Sequence, residues 1–279
     1  MKTILYSIPL LFLLGSCNLT KDVEIDLPVY ETQPVVECYL EPGKPFRLLL
    51  TRSYPFFSDL NLDSNFIENT LYDGAEVKIS FNGETEILEN ILSFDPSPLK
   101  IFNYTGTRVV PATPGIQYTL EITLPDGSQI NGQTVMMTPV PIDSIKVEWS
   151  ETNDTLARML TYITDDRGTE NYYRRLLNYA SLDSFPEQDF LVTDRFSTTE
   201  LFAFGTGYEL LEGDTVFNTI CHIEKPYYDY VESVQLAVAG NGNPFAQPSP
   251  IKSNVQGSAN PLGIFTSLVY DRDTTIIQR

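Results

Sequence analysis

Two segments alternate strictly between apolar and polar residues, which is the pattern of a β-strand that buries one face. Residues 76–81 alternate in this way and end at Asn82-Gly83, the dipeptide most typical of a tight β-hairpin. Residues 115–124 also alternate, turn at Pro125-Asp126-Gly127, and are followed by a returning segment at 130–137. The pattern therefore predicts antiparallel strands joined by short turns.

The segment before these strands predicts a further hairpin. Residues 35–40 and 46–52 are apolar-rich, and a turn that contains proline and glycine, residues 41–45, separates them. Residues 53–71 show no clean period and predict a long loop. Short strands separated by turn residues over residues 34–138 together predict a β-sandwich domain of immunoglobulin-like architecture.

A second domain is predicted to begin near Pro139 and Pro141, because two prolines at this spacing stiffen an extended connector. Residues 139–279 form this C-terminal β domain, in which residues 185–200 are polar and irregular. Its predicted strands are residues 144–149, 159–164, 171–179 and 217–224.

One segment of the second domain has the period of a helix. Tyr227, Val231, Val234 and Val238 recur at spacings of four, three and four, which places them on one helical face. A proline begins the segment and a glycine follows it, the order favoured at helix ends. The chain thus predicts a mainly β fold of two packed β-sandwich-like domains, with one amphipathic helix, residues 226–239, near the C-terminus.

The chain begins with the layout of a secretory leader. Residues 4–14 form an apolar run too short to span a bilayer, and the small pair Gly15 and Ser16 precedes Cys17. The segment resembles a bacterial lipoprotein signal, which implies cleavage between Ser16 and Cys17, loss of residues 1–16, and attachment of lipid to Cys17. The alternative is an ordinary leader that contains a cysteine by chance.

Residues 17–33 are polar and acidic, and they predict a tether that follows the anchor. Acidic residues soon after a lipidated cysteine are reminiscent of a signal that exports lipoproteins to the cell surface, and a solvated linker explains them equally well.

The formal net charge is −19, so the surface repels nucleic acid and anionic lipid headgroups. We therefore expect no nucleic-acid partner, and we expect membrane attachment through acyl chains.

Two cysteines remain once Cys17 is assigned to lipid, namely Cys38 and Cys221. A compartment outside the cytoplasm permits a disulfide between them, but the Cα separation that a disulfide needs is not readable from sequence. The other interpretation is two separate thiols that pack as small hydrophobic groups.

A search for catalytic motifs finds none that is specific. His222 is the only histidine in the sequence, so a site with several histidine ligands is excluded. Acidic pairs such as Asp165-Asp166 favour weak calcium binding at most, and hydration of an acidic surface explains them as well. The sequence predicts a non-enzyme without catalytic residues, metal or cofactor, although two carboxylates that meet only in space leave a hydrolase open.

Aromatic side chains indicate a binding site more strongly than these catalytic and metal-binding motifs do, because they offer flat faces to a sugar or a partner protein. Core packing explains most aromatic residues in a sandwich, so each candidate has a structural alternative. The loop that follows the helix either packs the helix against the sheet or contacts a ligand. The candidate partner or ligand contacts are Phe56, Phe57, Tyr227, Tyr228, Asn243 and Phe245.

Short motifs in a fixed order resemble a known family. The chain is similar to Bacteroidota outer-membrane lipoproteins that carry a large domain of unknown function of the DUF4249 type and are often encoded beside TonB-dependent receptors. The resemblance implies a mainly β lipoprotein without established catalytic activity, and it suggests a role beside a transporter. The motifs are Asp26-Leu27-Pro28 and residues 35–43, 114–120, 242–248, 253–257 and 262–265.

Three functions are compatible with the sequence. The first is a non-enzymatic outer-membrane lipoprotein, lipid-anchored and facing the cell surface, that acts as an accessory or substrate-binding partner of a TonB-dependent β-barrel transporter. The second is a stand-alone surface adhesin or binding module for glycans or proteins. The third is a cell-envelope hydrolase. The ligand itself is not readable from the sequence.

Overall fold

Strands dominate the computed structural model, which describes residues 31–54, 69–96, 99–197, 199–240 and 250–279. A helix, α1 (Lys225–Gly240), lies near the C-terminus. In chain order the strands are β1 (Pro34–Leu40), β2 (Pro45–Arg52), β3 (Glu76–Phe81), β4 (Glu84–Leu88), β5 (Ser93–Pro96), β6 (Leu99–Phe102), β7 (Tyr104–Val109), β8 (Gln117–Thr123), β9 (Gln129–Val135), β10 (Ser144–Trp149), β11 (Ala157–Thr164), β12 (Tyr172–Tyr179), β13 (Gln188–Thr193), β14 (Leu201–Gly205), β15 (Thr215–Ile223), β16 (Val255–Gln256), β17 (Leu262–Ser267) and β18 (Val269–Ile276).

The first sandwich packs the sheet β17-β1-β2-β7 against the sheet β16-β9-β8-β3-β4. Alternate residues of both sheets, such as Val36, Leu48, Ile79 and Leu120, are fully buried in one continuous apolar core between them. The alternation at β3 and β8 therefore identified strands with one buried face. The hairpin predicted at Asn82-Gly83 is also confirmed, because both residues have positive φ and join β3 to β4.

Two strands near the C-terminus complete the first sandwich. β16 pairs with β9, and β17 pairs with β1 in parallel, so the sandwich is not purely antiparallel. Gly263 lies opposite Val36 with φ +119°, and a Cβ atom there would be 1.9 Å from the Val36 carbonyl oxygen. Only glycine fits so close an approach at such a φ. Two strands from beyond residue 139, β16 and β17, thus belong to the first sandwich. The division of the chain into two domains at residue 138 stays a prediction.

The second sandwich packs the sheet β10-β11-β14 against the sheet β13-β12-β15-β18. Its apolar interior is divided into two clusters, one around Met159 and Leu177 and the other around Ile163 and Ile220. β13 was not expected, since residues 185–200 carry no alternation. It forms an edge strand whose residues are mostly half-buried, so no clear two-residue period marks it.

The helix packs its first half on the outer face of the second sandwich and against β17. Tyr227 and Val231 are buried as predicted from the helical period, and Ser233 joins them. Val238 was expected on the same buried face, but it is 64% exposed. The reason is that burial ends with the first half of the helix, so the apolar stripe extends further than the surface that covers it.

The fold class expected from the sequence is confirmed, with a mainly β architecture, sandwich-like packing and a helix near the C-terminus. Cys38 and Cys221 are separate, buried thiols, so the disulfide alternative is excluded. Cys38 lies in the first core and Cys221 beneath the helix. Burial raises the pKa of both thiols, that of Cys221 to about 12.

Candidate functional site

Most of the residues predicted as functional fall outside the described part of the chain. These are the cleavage and lipidation residues Ser16 and Cys17 and the candidate contacts Phe56, Phe57, Asn243 and Phe245. Their roles stay predictions. Tyr227 and Tyr228 are described, and they have different environments.

Tyr227 is an interior residue. It is 2% exposed, and its hydroxyl accepts a hydrogen bond of 2.5 Å from Nη1 of Arg174. Burial raises the pKa of Tyr227 to about 12, although the Arg174 charge opposes the increase. Arg174 also holds Asp189 through two parallel hydrogen bonds of 2.7 and 2.8 Å, so β12, β13 and the helix are joined. The structure gives Tyr227 a packing role.

Tyr228 is half-buried and lies against Tyr172, with ring centroids 5.1 Å apart. This pair presents only part of its aromatic surface to solvent. A contact between Tyr228 and a partner stays a prediction.

Polar side chains converge where three strands of the second sandwich begin or end. Asp165 directly follows β11, Asn171 directly precedes β12, and Asp194 directly follows β13. All three side chains are buried. Asp165 and Asp194 line a cleft of about 310 Å³ together with the charged residues Arg167, Glu170 and Arg195. We call this region the carboxyl cleft.

Asn171 connects the two carboxyl groups of the cleft. Its Nδ2 lies 3.1 Å from Asp165 Oδ1 and 3.1 Å from Asp194 Oδ2, and its backbone NH donates to Asp194 Oδ1 at 3.0 Å. The hydroxyl of Tyr173 also donates to Asp165 Oδ1. In contrast, Asp165 Oδ2 is buried and accepts no hydrogen bond from an N–H group or a hydroxyl, although the Asp165 and Asp194 carboxyl groups are close enough for a hydrogen bond between them.

The surroundings of Asp165 disfavour its charged form. Burial raises the pKa of the Asp165 carboxyl above its usual range, and the adjacent Asp194 raises it further, whereas the Tyr173 hydroxyl lowers it. A buried acid with a shifted pKa in a cleft is a common mark of a functional site, although structural networks produce such shifts as well.

His222 lies on the other side of Tyr173, with the two rings stacked at a centroid distance of 5.3 Å. Its Nδ1 is 2.8 Å from the carbonyl oxygen of Thr138, while its buried Nε2 has no hydrogen-bond partner. His222 therefore has a hydrogen-bond partner at one ring nitrogen only.

Sequence reasoning found one part of the carboxyl cleft and missed the rest. Asp165 was singled out as half of an acidic pair, but Asn171 and Asp194 were not. Asn171 carries a detectable signal, because it is the first residue of the predicted strand 171–179. Asp194 carries none, because it lies in the segment that was expected to be irregular.

Two searches of the described residues bear on membranes and metals. No helix in the described ranges is long and apolar enough to cross a membrane. Nor do the described residues contain three or more His, Cys, Asp or Glu side chains grouped so that they could hold a metal ion.

These observations define an acidic, mainly β protein with two sandwiches. The C-terminal strands β16 and β17 complete the first sandwich, and the helix packs against strands of both sandwiches. The family model for a domain of unknown function, DUF4249, matches residues 20–274, and the chain belongs to this family. No curated protein matches the sequence.

Proposed function

We propose that the protein is a non-enzymatic, lipid-anchored protein of the outer membrane that faces the cell surface and serves as an accessory or substrate-binding partner of a TonB-dependent transporter. The observation that carries the proposal is the position of the family domain. It begins at residue 20, three residues after Cys17 of the lipoprotein-like sequence Leu14-Gly15-Ser16-Cys17. A lipid on Cys17 would therefore hold the family domain at a membrane surface.

The geometry of the carboxyl cleft supports a binding role more than a hydrolytic one. The carboxyl pair of a glycosidase is separated by about 5 Å or more so that substrate or water fits between the two groups. Asp165 and Asp194 instead share one amide nitrogen and are close enough for a hydrogen bond between them. No gap for a reacting bond separates them.

An exposed apolar surface supports a protein partner. Five large apolar side chains between β4 and the end of β7 are each 48–58% exposed, and we call them the apolar edge patch. Backbone hydrogen bonds of 3.0 Å in both directions between Glu89 and Thr105, and a 2.8 Å contact between the Ser93 and Thr105 hydroxyls, hold this region together. Contiguous exposed apolar surface marks interaction sites, and four of the five side chains lie within residues 87–94. The patch comprises Ile87, Ile91, Leu92, Phe94 and Val109.

Affinity capture tests the proposal. The full chain with a C-terminal tag is expressed in a bacterium of the Bacteroidota, extracted in mild detergent and captured, and the bound proteins are identified by mass spectrometry. We expect a TonB-dependent receptor. Phe94→Glu should reduce its recovery several-fold, because a charge in an apolar interface is costly. Phe185→Glu, at an exposed phenylalanine outside the patch, is the matched control and should leave recovery unchanged.

Two further measurements separate the parts of the proposal. Intact-mass analysis should find residues 1–16 removed and lipid on Cys17, and protease treatment of intact cells should digest the protein. Repeated captures without a barrel protein would contradict the partnership. Glycan binding by the purified protein in the absence of any receptor would favour the stand-alone binding module instead.

A further inference from the structure

The two-stranded hairpin β5–β6 lies on the outer face of the first sandwich, where β6 packs against β2. Alternate side chains of β1 and β2 face the core, so Tyr39 and Arg47 point away from it, towards the hairpin. The Arg47 guanidinium carbon lies 5.4 Å from the centre of the Phe102 ring, and Lys100 Nζ lies 5.8 Å from the centre of the Tyr39 ring. Two contacts between a cation and an aromatic ring thus join the hairpin to the sheet.

A pocket of about 40 Å³ remains between the hairpin and the sheet, and we call it the hairpin pocket. Basic side chains are its most frequent charged lining, although acidic residues predominate in the chain as a whole. The hairpin pocket therefore differs in charge from the rest of the protein. Its charged residues are Lys44, Arg47 and Lys100, which are basic, and Glu41 and Asp95, which are acidic.

The acidic side chains do not fully neutralise the basic ones. Asp95 Oδ2 is 3.7 Å from Arg47 Nη1, which is too long for a hydrogen bond. Glu41 accepts a hydrogen bond of 2.8 Å from a tyrosine hydroxyl of β18. Burial raises the pKa of Glu37, which lies near Lys100, although the Lys100 charge lowers it. The charged form of Glu37 is thus disfavoured, and the hairpin pocket has an excess of positive charge.

The Arg47 guanidinium lacks a hydrogen-bond acceptor. Its Nε is buried and has no hydrogen-bond partner among the described residues, and Nη1 is the nitrogen that lies nearest to Asp95. Arginine carries five N–H donors in a planar fork, and two of them together match a carboxylate. Buried polar groups in folded proteins almost always have partners. An unpaired arginine nitrogen beside a positively charged pocket therefore indicates that an anionic group binds there.

We propose that the hairpin pocket binds the carboxylate group of a small organic ligand, with Arg47 as its main partner and the exposed Lys44 and Lys100 beside it. One water molecule needs about 10–15 Å³ of cavity volume, so the hairpin pocket holds roughly three non-hydrogen atoms. A carboxylate has three such atoms, whereas phosphate and sulfate have five. The rings of Tyr39 and Phe102 also line the pocket, and they favour a flat or apolar group next to the carboxylate. The inference does not depend on the proposed partnership with a transporter.

NMR titration of the purified full chain with sodium benzoate at constant ionic strength tests the inference. Benzamide has nearly the same shape as benzoate but no charge, and phenylphosphonate carries a larger anionic group. Benzoate should bind at least about tenfold more tightly than benzamide, because a hydrogen bond to a charged group is stronger than a neutral one. It should also bind more tightly than phenylphosphonate, because the larger group exceeds the volume of the pocket.

Substitutions locate the binding and predict effects of opposite sign. Arg47→Met should weaken benzoate binding at least about tenfold, and Lys100→Met should weaken it several-fold, since each removes a positive charge. Asp95→Asn should strengthen binding, because no aspartate carboxylate then competes with benzoate for Arg47. Lys146→Met is the matched control. It removes a lysine of the second sandwich that is 63% exposed, and it should bind benzoate as the wild type does.

The folding of each variant is checked by circular dichroism without benzoate. If Arg47→Met does not fold, Lys100→Met and Asp95→Asn decide the question by themselves. Equal binding of benzoate and benzamide, tighter binding of phenylphosphonate, or equal benzoate affinity in the wild type, Lys100→Met and Asp95→Asn would overturn the inference. Failure of the wild type to bind benzoate would overturn the carboxylate site and leave the proposed transporter partnership untouched.

Discussion

The two sandwiches use similar numbers of strands but fill their interiors differently. The first has a single apolar core in which residues such as Leu50, Tyr118 and Phe265 are fully buried. The second has two apolar clusters with buried polar side chains between them, including Arg175 and Asn218. Alternation of buried and exposed positions along a strand is thus compatible with an apolar interior and with one that contains polar residues. Only the identity of the buried residues distinguishes the two interiors.

The polar layer of the second sandwich is hydrogen-bonded across strands. Arg175 Nε donates to Asn218 Oδ1 at 3.0 Å, Asn218 Nδ2 donates to Thr161 Oγ1 at 3.0 Å, and Arg175 Nη1 donates to the Gly205 carbonyl at 3.1 Å. Each polar residue lies between apolar ones along its strand. The comparison teaches that the first core, which is held by apolar packing, should be sensitive to lost volume. In the second, the effect of a substitution should depend on the balance between lost hydrogen bonds and relieved burial of charge.

The largest expected effect is in the first core. Phe265→Ala should reduce the free energy of unfolding by about 3–5 kcal/mol, because it removes a fully buried aromatic ring from the packed sandwich. Urea unfolding followed by fluorescence measures the change. Phe185→Ala, at an exposed residue, is the control and should stay within about 0.5 kcal/mol of the wild type. A loss below about 1 kcal/mol at Phe265 would show that the first core repacks.

A smaller loss is expected at Arg174, on the outer face of the second sandwich. Burial lowers the pKa of Arg174, but its bonds to Asp189 and the Tyr227 hydroxyl outweigh this and raise the pKa overall, so the charge is well stabilised. Arg174→Met should cost about 1–3 kcal/mol, because Asp189 and Tyr227 lose a charged donor.

Arg158→Met is the control for the Arg174 measurement. Arg158 pairs with Glu148 at 2.6 Å but is more exposed, so we expect a change within about 1 kcal/mol. Equal losses in the two variants would remove the distinction between a buried connection and a surface pair.

The adjacent residue should behave differently. Arg175 is 1% exposed, its Nη2 has no hydrogen-bond partner, and burial lowers its pKa to about 10. Arg175→Met should leave the free energy of unfolding within about 1 kcal/mol of the wild type, because relief from an unpaired buried charge offsets the lost hydrogen bonds. A loss as large as that of Arg174→Met would contradict this and show that the polar layer stabilises the second sandwich.

The smallest effect concerns pH at the junction of the two sandwiches. Glu224, directly before the helix, accepts a hydrogen bond from the Thr134 hydroxyl of β9. Burial raises the pKa of Glu224 even though this bond lowers it. Because the pKa of Glu224 is higher in the folded than in the unfolded protein, folding favours the neutral carboxyl. The contribution of Glu224 to the free energy of unfolding is therefore complete below the ordinary pKa of about 4.3. It is lost as the pH rises through the raised pKa.

Glu224→Gln cannot ionise, so its stability relative to the wild type should increase between about pH 4 and about pH 7. Thermal melts of both proteins across this range measure the difference. Melting temperatures that change with pH by the same amount in both proteins would contradict a raised pKa of Glu224 at the junction.

Local reasoning predicted the parts of the fold in which one face is buried. β3 and β8 alternate, and the hairpin between β3 and β4 has the turn residues that its geometry requires. β17 was missed for a physical reason. It is buried on both faces, by Phe265 in the first core and by Ile264 under the helix, so its sequence has no two-residue period.

The carboxyl cleft was predictable only in part. The turn that carries Asp165 is visible in the sequence, but Asp194 reaches it through the pairing of β12 with β13, which spans many residues of chain. Pairing at such a distance leaves no local pattern, because the contacting residues are neighbours only after the sheet forms.

By itself the sequence determined the strand-rich class, the hairpin turns, the start of the helix and the acidic charge, because each depends on neighbouring residues or on simple composition. The tertiary structure alone decided that strands near the C-terminus complete the first sandwich, that Cys38 and Cys221 stay apart, and that three strand ends bring Asp165, Asn171 and Asp194 together. These features depend on which distant segments share a core, and that choice is made by packing.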